Sequence, residues 1–346
     1  MGRTLSRLAA SPQGIVLATG LALALLFSLL NPAFLSAPNL VDLLRNTIVT
    51  GIFAIGVLIV LAAGGIDVSF TAIGAFALYA TCKLLIVSGA HLPIAAIFAI
   101  GISIGAALGL VNGLMIGLLG LPTLIVTLAT LSLFRGALLT FVGTLYYGTL
   151  PAEMVAYSRQ PLLAFHLASG RLVQLPMAFL NFVLVAALAS FLLNATLFGR
   201  KIYALGGSEE AAERIGIDVR RVKLAVFMLA GGIAGLAGVT HVTLIRIANP
   251  FDLVGSELNV IAAVVLGGGR ITGGHGTVSG TVIGVLVITM INSSLLLIGV
   301  PTYWQRLVVG LLILAGTGLP IAIERINARR ARRRANVSTP AQEAAA

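Results

Sequence analysis

Charge is what this sequence has least of. Asp, Glu, Lys and Arg make up 10% of its 346 residues, against about 25% in a soluble globular domain. That shortfall excludes an ordinary water-soluble surface. Cysteine is nearly absent too: the one thiol, Cys82, lies in an apolar stretch, so no disulfide can form within the chain and sulfur gives no indication of compartment. No Gly-Lys-Ser/Thr triplet occurs, which excludes a Walker A phosphate loop and an ATPase built from this chain. No paired-carboxylate or cysteine–histidine constellation points to an enzyme. His241 and His275 lack the spacing a metal site needs. Neither catalysis nor a resident metal or cofactor is expected.

Apolar length fills the chain instead. Hydrophobic residues make up 58%, and the mean hydropathy is +1.07. A membrane crossing takes about 20 apolar residues, each rising about 1.5 Å through a core about 30 Å thick. Apolar runs fall near 15–35, 45–63, 70–88, 92–118, 122–143, 176–197, 222–245, 257–268, 277–298 and 303–323. The chain is therefore expected to be an all-α, polytopic membrane protein of about ten transmembrane helices. The eighth run is too short to cross and ends in Gly267-Gly268-Gly269, which predicts a broken or half-helix. The fourth and fifth meet at Leu119-Gly120-Leu121-Pro122, where proline prevents one continuous helix.

The formal charge of +11 matters through the loops that carry it. If Arg3 and Arg7 are cytoplasmic, so is the loop after the sixth run, with Arg200, Lys201, Arg214, Arg220, Arg221 and Lys223. The tail with Arg325, Arg329, Arg330, Arg332, Arg333 and Arg334 then falls on the same side. The loop of about 144–175 opposite carries only Arg159 and Arg171. Residues 1–14 are thus read as a cytoplasmic segment, 15–323 as the transmembrane domain and 324–346 as a basic cytoplasmic tail, expected to be disordered. The first run is too long for a typical signal-peptide core and lacks a small-x-small cleavage site, so it is expected to remain as a span. The arginine tail suits anionic membrane lipid rather than nucleic acid.

In the fourth run Gly101, Gly105, Gly109, Gly113 and Gly117 recur every four residues. Each step turns about 40° around the helix, so the five make a slowly winding groove in which a second helix can lie closely. Gly231/Gly235 and Gly280/Gly284 repeat the device.

Two glycine-rich segments carry polar groups between apolar runs. One is Gly64-Gly65-Ile66-Asp67-Val68-Ser69; the other runs Gly267-Gly268-Gly269-Arg270-Ile271-Thr272-Gly273-Gly274-His275-Gly276. Ile59–Asp67 aligns without a gap to Val264–Thr272 with four identities in nine, a candidate internal repeat. Matching breaks in two halves of a transporter face a water-filled route, so Gly64, Gly65, Asp67, Ser69, Gly268, Gly269 and Thr272 are candidates for such a pathway or for re-entrant segments. Both segments also suit tight turns at the cytoplasmic surface. Arg135 within the fifth run reads as a paired or snorkelling arginine, and Lys83 as a snorkelling lysine.

The most informative stretch is the loop of about 198–221. Ser208 is a good N-cap, Glu209, Glu210 and Glu213 favour the positive end of a helix, and Gly216 can stop it. A helix of about two turns is marginal alone in water, so this one is expected to dock on something.

Glu210-Ala211-Ala212-x-x-x-Gly216 resembles the start of the EAA signature of ABC importer permeases; the later isoleucine and leucine-proline positions of that signature are not evident. Gly64-Gly65-Ile66-Asp67-Val68-Ser69 resembles the Gly-Gly-Ile-Asp-Leu-Ser element of the ribose/xylose/galactose-type branch. Leu121-Pro122-Thr123-Leu124-Ile125-Val126-Thr127-Leu128 with Arg135-Gly136 is similar to a second element of that branch. Phe198-Gly199-Arg200 with Tyr203-Ala204-Leu205-Gly206-Gly207 is similar to the approach to its coupling loop. Ala129 and Phe70-Thr71 depart from the usual glycine and Val-Gly. The resemblance spans about residues 40–315. It implies a bacterial inner-membrane importer subunit for a sugar or related small polar solute. It implies partners: an ABC ATP-binding subunit holding ATP and magnesium, a periplasmic solute-binding protein, and a second permease copy or paralogue. It also implies that Ser208, Glu209, Glu210, Ala211, Ala212 and Gly216 couple the spans to that ATPase. A branched-chain amino acid or nucleoside permease of the same superfamily, or an ion-coupled secondary transporter, is the alternative.

Overall fold

The computed structural model describes residues 12–167, 169–301, 304, 307, 310 and 311. In chain order the helices are α1 (Pro12–Leu30), α2 (Ala37–Ala62), α3 (Phe70–Ser88), α4 (Ile94–Gly117), α5 (Thr123–Ala137) and α6 (Ala152–Arg159). A hairpin of β1 (Pro161–His166) and β2 (Leu172–Pro176) follows. Then come α7 (Phe179–Ala195), α8 (Leu197–Gly207), α9 (Glu209–Arg214), α10 (Val219–Ile245), α11 (Glu257–Leu266) and α12 (Val278–Leu297). The first nine apolar runs each become helix, which makes the protein a polytopic all-α membrane protein. The tenth run, apart from four positions, residues 1–11 of the predicted N-terminal segment and the predicted C-terminal tail lie outside the described residues; residues 12–14, read as part of the N-terminal segment, begin α1.

Proline sets several of these starts. Pro38 lies in the first turn of α2, and Pro93, Pro122 and Pro151 stand immediately before α4, α5 and α6. The first amides of a helix have no partner within it, so proline loses nothing there and breaks any helix running into it. The expected break at Pro122 is where α5 begins.

Six helices are long and apolar enough to cross a membrane: α2, α3, α4, α5 with the π turn that extends it to Val142, α10 and α12. α7 and α8 make a seventh only as one span bent by 74°. α1, apolar from Val16 to Leu30, and α11 are shorter, so about ten spans overstates the full-length crossings among the described residues. The bend falls at Thr196, whose hydroxyl donates to Leu192 O and accepts from Gly199 N–H, ending one helix and capping the next.

α10 is the central post. It runs antiparallel to α4, and the five-glycine groove of α4 faces it along its length. A Cβ at Gly105 would collide with the Gly231 carbonyl and one at Gly109 with the Phe227 carbonyl; at Gly113 and Gly117 the Leu224 and Arg220 carbonyls would lie 2.9 Å away. Gly231 and Gly235 return the contact against Gly105 and Gly101. Backbone therefore meets backbone over four turns, the close approach that small residues allow in lipid. α2 is enclosed, with 72% of its apolar window buried, against 22% for α4 and 28% for α5, whose outward faces carry Leu124, Ile125 and Leu133. The hairpin was not foreseen from sequence. It lies on one membrane face, called here the hairpin face; α9 lies on the other.

Candidate functional site

Three glycine backbones meet on the α9 face. α2 ends in a turn with Gly64 at φ +81°, in which Gly64 N–H donates to Leu61 O and Gly65 N–H to Val60 O. α11 ends the same way, with Gly268 at φ +93°, Gly268 N–H donating to Val265 O and Gly269 N–H to Val264 O. This is the Schellman pattern, for which glycine is favoured because the left-handed position penalises a Cβ. The equivalence is Gly64-Gly65 with Gly268-Gly269. It lies one residue away from the ungapped sequence match, which paired Gly64 with Gly269.

Gly206, near the end of α8, sits between the first of these turns and Gly273-Gly274, a few residues beyond the second. A Cβ there would strike the Ala62 carbonyl and come within 2.5 Å of Gly274 N, while Gly274 N–H itself donates to Ala62 O at 3.1 Å. A Cβ on Gly273, at φ +90°, would lie 2.6 Å from Gly64 Cα. Tyr203 Oη on α8 donates to Gly276 O at 2.7 Å. The two glycine segments read separately in the sequence are thus one junction, with α8 inserted between them.

α9 follows directly. Ser208 Oγ accepts from Ala211 N–H as the N-cap, and Glu209 and Glu210 occupy the first turn. The helix ends in a third Schellman turn: Gly216, at φ +81°, donates to Glu213 O and Ile217 N–H to Ala212 O. Ala212 is buried, whereas Glu210, Ala211, Arg214 and Ile215 face outward, Ile215 being 74% exposed. Glu209 pairs with Lys223 Nζ at 2.7 Å, and Glu210 stands 3.8 Å from Arg214. Exposed pairs of this kind contribute about 0–1 kcal/mol, so they orient α9 rather than hold it. Ile215 is the position sequence reasoning passed over; its signal was an apolar residue immediately before a helix-stopping glycine.

The other predicted residues separate into two environments. After Gly65 the chain does not stay at the surface. It runs extended inside the bundle, from Gly65 beside Phe227 of α10 to the start of α3, where Gly74 meets Ala234. Thr123 and Thr127 of α5 serve the backbone of this leg: Thr123 Oγ1 accepts from Ile66 N–H and Thr127 Oγ1 donates to Ile66 O, both at 3.1 Å. Asp67 and Ser69 are buried, and one Asp67 oxygen accepts from both the N–H and the Oγ–H of Ser69 at 2.7 Å. Asn112 of α4 completes the chain by donating to Ser69 Oγ at 2.8 Å. Asp67 is therefore engaged in building the turn into α3. Thr272, in contrast, is exposed at the surface beside Arg270 and Ile271. Arg135 is partly buried on α5, and Lys83 donates to the Val142 carbonyl.

On the hairpin face, Arg159 and Arg171 are joined by Arg45 and Arg246 around a cleft of about 360 Å³ that also takes in Asp42. Arg246 ends α10 at φ +60° and donates through Nε to Ser158 Oγ at 2.8 Å. Nearby, Glu153 accepts from its own backbone N–H and lies 2.8 Å from His91 Nδ1, which holds its carboxyl below the usual range.

A bundle of apolar helices with two matched glycine breaks and a capped surface helix defines a multi-pass permease. The family model described as branched-chain amino acid transport system / permease component matches residues 39–316, and the chain belongs to that family. It is 39% identical to the ribose import permease protein of Bacillus subtilis over 292 residues, covering 84% of this chain and 87% of that one. It is 35% identical to the L-arabinose ABC transporter permease protein of Azospirillum brasilense over 288 residues, covering 83% and 81%. It is 34% identical to the D-allose transport system permease protein of Escherichia coli over 295 residues, covering 85% and 87%. No solved structure matches the chain.

Proposed function

We propose that this protein is the membrane-spanning permease subunit of an ATP-driven ABC importer that carries a sugar into the bacterial cytoplasm. The observation that carries the reading is α9: a capped, outward-facing helix whose preceding residues, Gly206-Gly207, lie against the end of α2 and against Gly273-Gly274 in the loop between α11 and α12. A partner pressing on α9 presses on the first break and on the loop that follows the second at once. That partner is an ABC ATP-binding subunit, which holds ATP and magnesium, and its groove receives Glu210, Ala211 and Ile215. A second permease copy or paralogue completes the pathway.

The α9 face is cytoplasmic in this reading, because it bears Arg200, Lys201, Arg214, Arg220 and Arg221. The arginine cleft on the hairpin face then looks outward and suits acidic side chains of a periplasmic solute-binding protein. The relatives named for ribose, L-arabinose and D-allose support a sugar over the amino acid of the family description. Ion coupling at Asp67 is disfavoured, since one of its oxygens already accepts both Ser69 donors in the turn into α3.

The test is recovery of the tagged protein from detergent-solubilised membranes, with an ATPase assay, in the unsubstituted chain and in Glu210→Lys. Co-purification of an ATPase that falls in the variant is expected. Uptake that survives ATP depletion and fails on collapse of the ion gradient would instead identify a secondary transporter.

A further inference from the structure

Glu257 places an acid well inside the bundle. It is the first residue of α11, and its carboxylate accepts from Thr71 Oγ1 at 2.5 Å. Thr71 is fully buried in the first turn of α3, one turn before Gly74 meets Ala234 near the middle of α10.

Two segments reach this point from opposite membrane faces. The leg after Gly65 enters from the α9 side and starts α3, which runs on to the hairpin face. Residues 246–256 leave the hairpin-face end of α10, where Ala248 exchanges both backbone hydrogen bonds with Tyr147, and lead inward to α11. α11 has ten residues, about 15 Å of helix, and runs back to the α9 side. Each helix therefore begins inside the membrane. Their N-termini lie together, and Glu257 stands between them.

A carboxylate at this depth needs a partner. Among the described residues Glu257 forms no ion pair. α2 and α12 pack along α11; α12 carries no charged residue, and those of α2, Asp42 and Arg45, stand near its start at the hairpin face. On α3 the only charge is Lys83, toward the far end and bound to the Val142 carbonyl. On α10, His241 is taken by Asp252. What meets the Glu257 carboxylate is the Thr71 hydroxyl and the positive ends of two helices. A helix dipole is felt within the first turn, and both residues are in one. The hydrogen bond is thus charge-assisted.

That bond also crosses a division in the bundle. α3 is pressed against α10 backbone to backbone, the Gly74 carbonyl leaving no room for a Cβ on Gly238. α11 is pressed against α12 in the same way: a Cβ on Gly280 would strike the Gly267 carbonyl, and one on Gly284 the Ala263 carbonyl. α11 meets α3 by little beyond the Thr71 hydrogen bond. One polar bond thus links two close-packed helix pairs. The second pair carries the loop that touches Gly206 at the base of α9.

We propose that Glu257 is a positioning residue of the transport cycle. Its ionised carboxylate, held by the N-termini of α3 and α11, fastens the α11–α12 pair to α3, so that movement at the α9 junction becomes solute passage. The proposal deepens the importer reading and rests on it.

The test uses the full-length protein, in cells with the complete transporter and in the detergent preparation recovered with its ATPase. Uptake of D-ribose, L-arabinose or D-allose, whichever the unsubstituted chain imports fastest, is measured beside ATP hydrolysis. The variants are Glu257→Ala, Glu257→Gln, Thr71→Val, the double variant of Glu257→Ala with Thr71→Val, and Thr71→Ser. Each of the first three is expected to lower uptake roughly tenfold, the worth of one charge-assisted hydrogen bond, while hydrolysis stays within about twofold. The double variant should fall no further than the lower single, because both changes remove the same bond. Thr71→Ser keeps the hydroxyl and should retain uptake. Weakening of the fold alone would lower uptake, hydrolysis and recovery together. That result, full uptake in Glu257→Gln or Thr71→Val, or a double variant whose loss is the product of the singles would overturn the proposal. Absence of an ATPase from the unsubstituted preparation would count against the importer reading itself. Thermal unfolding of the same variants then decides the bond, and a midpoint that falls additively in the double variant would rule it out.

Discussion

The turn after α2 and the turn after α11 are built alike and lead to different places. Both close with the same pair of backbone hydrogen bonds around a left-handed glycine. Beyond the first, the chain re-enters the bundle as an extended leg with Asp67 and Ser69 buried. Beyond the second, Arg270, Ile271 and Thr272 remain at the surface, and Gly273-Gly274 turn back against Gly64 and Gly206 before Thr277 caps α12. The difference follows from what stands nearby. Thr123 and Thr127 of α5 supply hydrogen-bond partners for the first leg, and Asn112 reaches its serine. An extended segment inside a membrane protein must have its backbone groups met. The first turn thus commits the chain to the interior, and the second leaves a loop free to be touched.

Substitutions can break or sharpen this contrast. The largest effect is expected at Gly206, which lies against the end of α2 and against Gly274 of the second loop. Gly206→Val should cost about 3 kcal/mol or more, since its side chain would meet backbone on two sides; yield of monodisperse protein and thermal unfolding report it. Next stands Gly273→Ala, where a left-handed backbone and the approach to Gly64 Cα combine; we expect a loss of about 2 kcal/mol, measured as a fall in thermal midpoint. Asp67→Ala should cost about 1–3 kcal/mol by leaving two Ser69 donors unmet. Asp67→Asn keeps an accepting oxygen and should retain stability and uptake; loss of uptake with stability intact would give the carboxylate charge a transport role. Smallest is Thr272→Val in the exposed loop, expected to shift stability by less than about 0.5 kcal/mol. A fall in uptake in that stable variant would place the second loop against a partner.

Much of the scaffold was legible in the sequence because membrane helices announce themselves by apolar length and proline. The groove of Gly101 to Gly117 was legible for a similar reason: helical period alone puts five glycines on one side, and α10 is what they accommodate. Ser208 as a cap and Gly216 as a stop depend on neighbours within a few residues, and both appear in the structure. The junction was not legible. Nothing local tells Gly206 that Gly64 and Gly273, more than 60 residues away on either side, will lie against it. Glycine carries no side chain whose chemistry could signal a partner. The repeat was seen one residue out of register because the identities at Val60 and Leu61 reflect apolar composition, while the hydrogen-bond pattern aligns Val60 with Val264. The bend at Thr196 was missed for want of proline or glycine at the break itself.

The contact of α8 with the end of α2 and with Gly273-Gly274 has a mechanical consequence. Where helices meet through leucine or phenylalanine, a small displacement is taken up by side chains changing rotamer, and little reaches the backbone beyond. At Gly206 there is no such cushion: main chain bears on main chain, at Ala62 on one side and Gly274 on the other. A displacement of Gly206 therefore meets backbone directly at the end of α2 and at the loop before α12. The junction has the stiffness of a hinge pin, with a travel set by the backbone and not by the softness of a packed core.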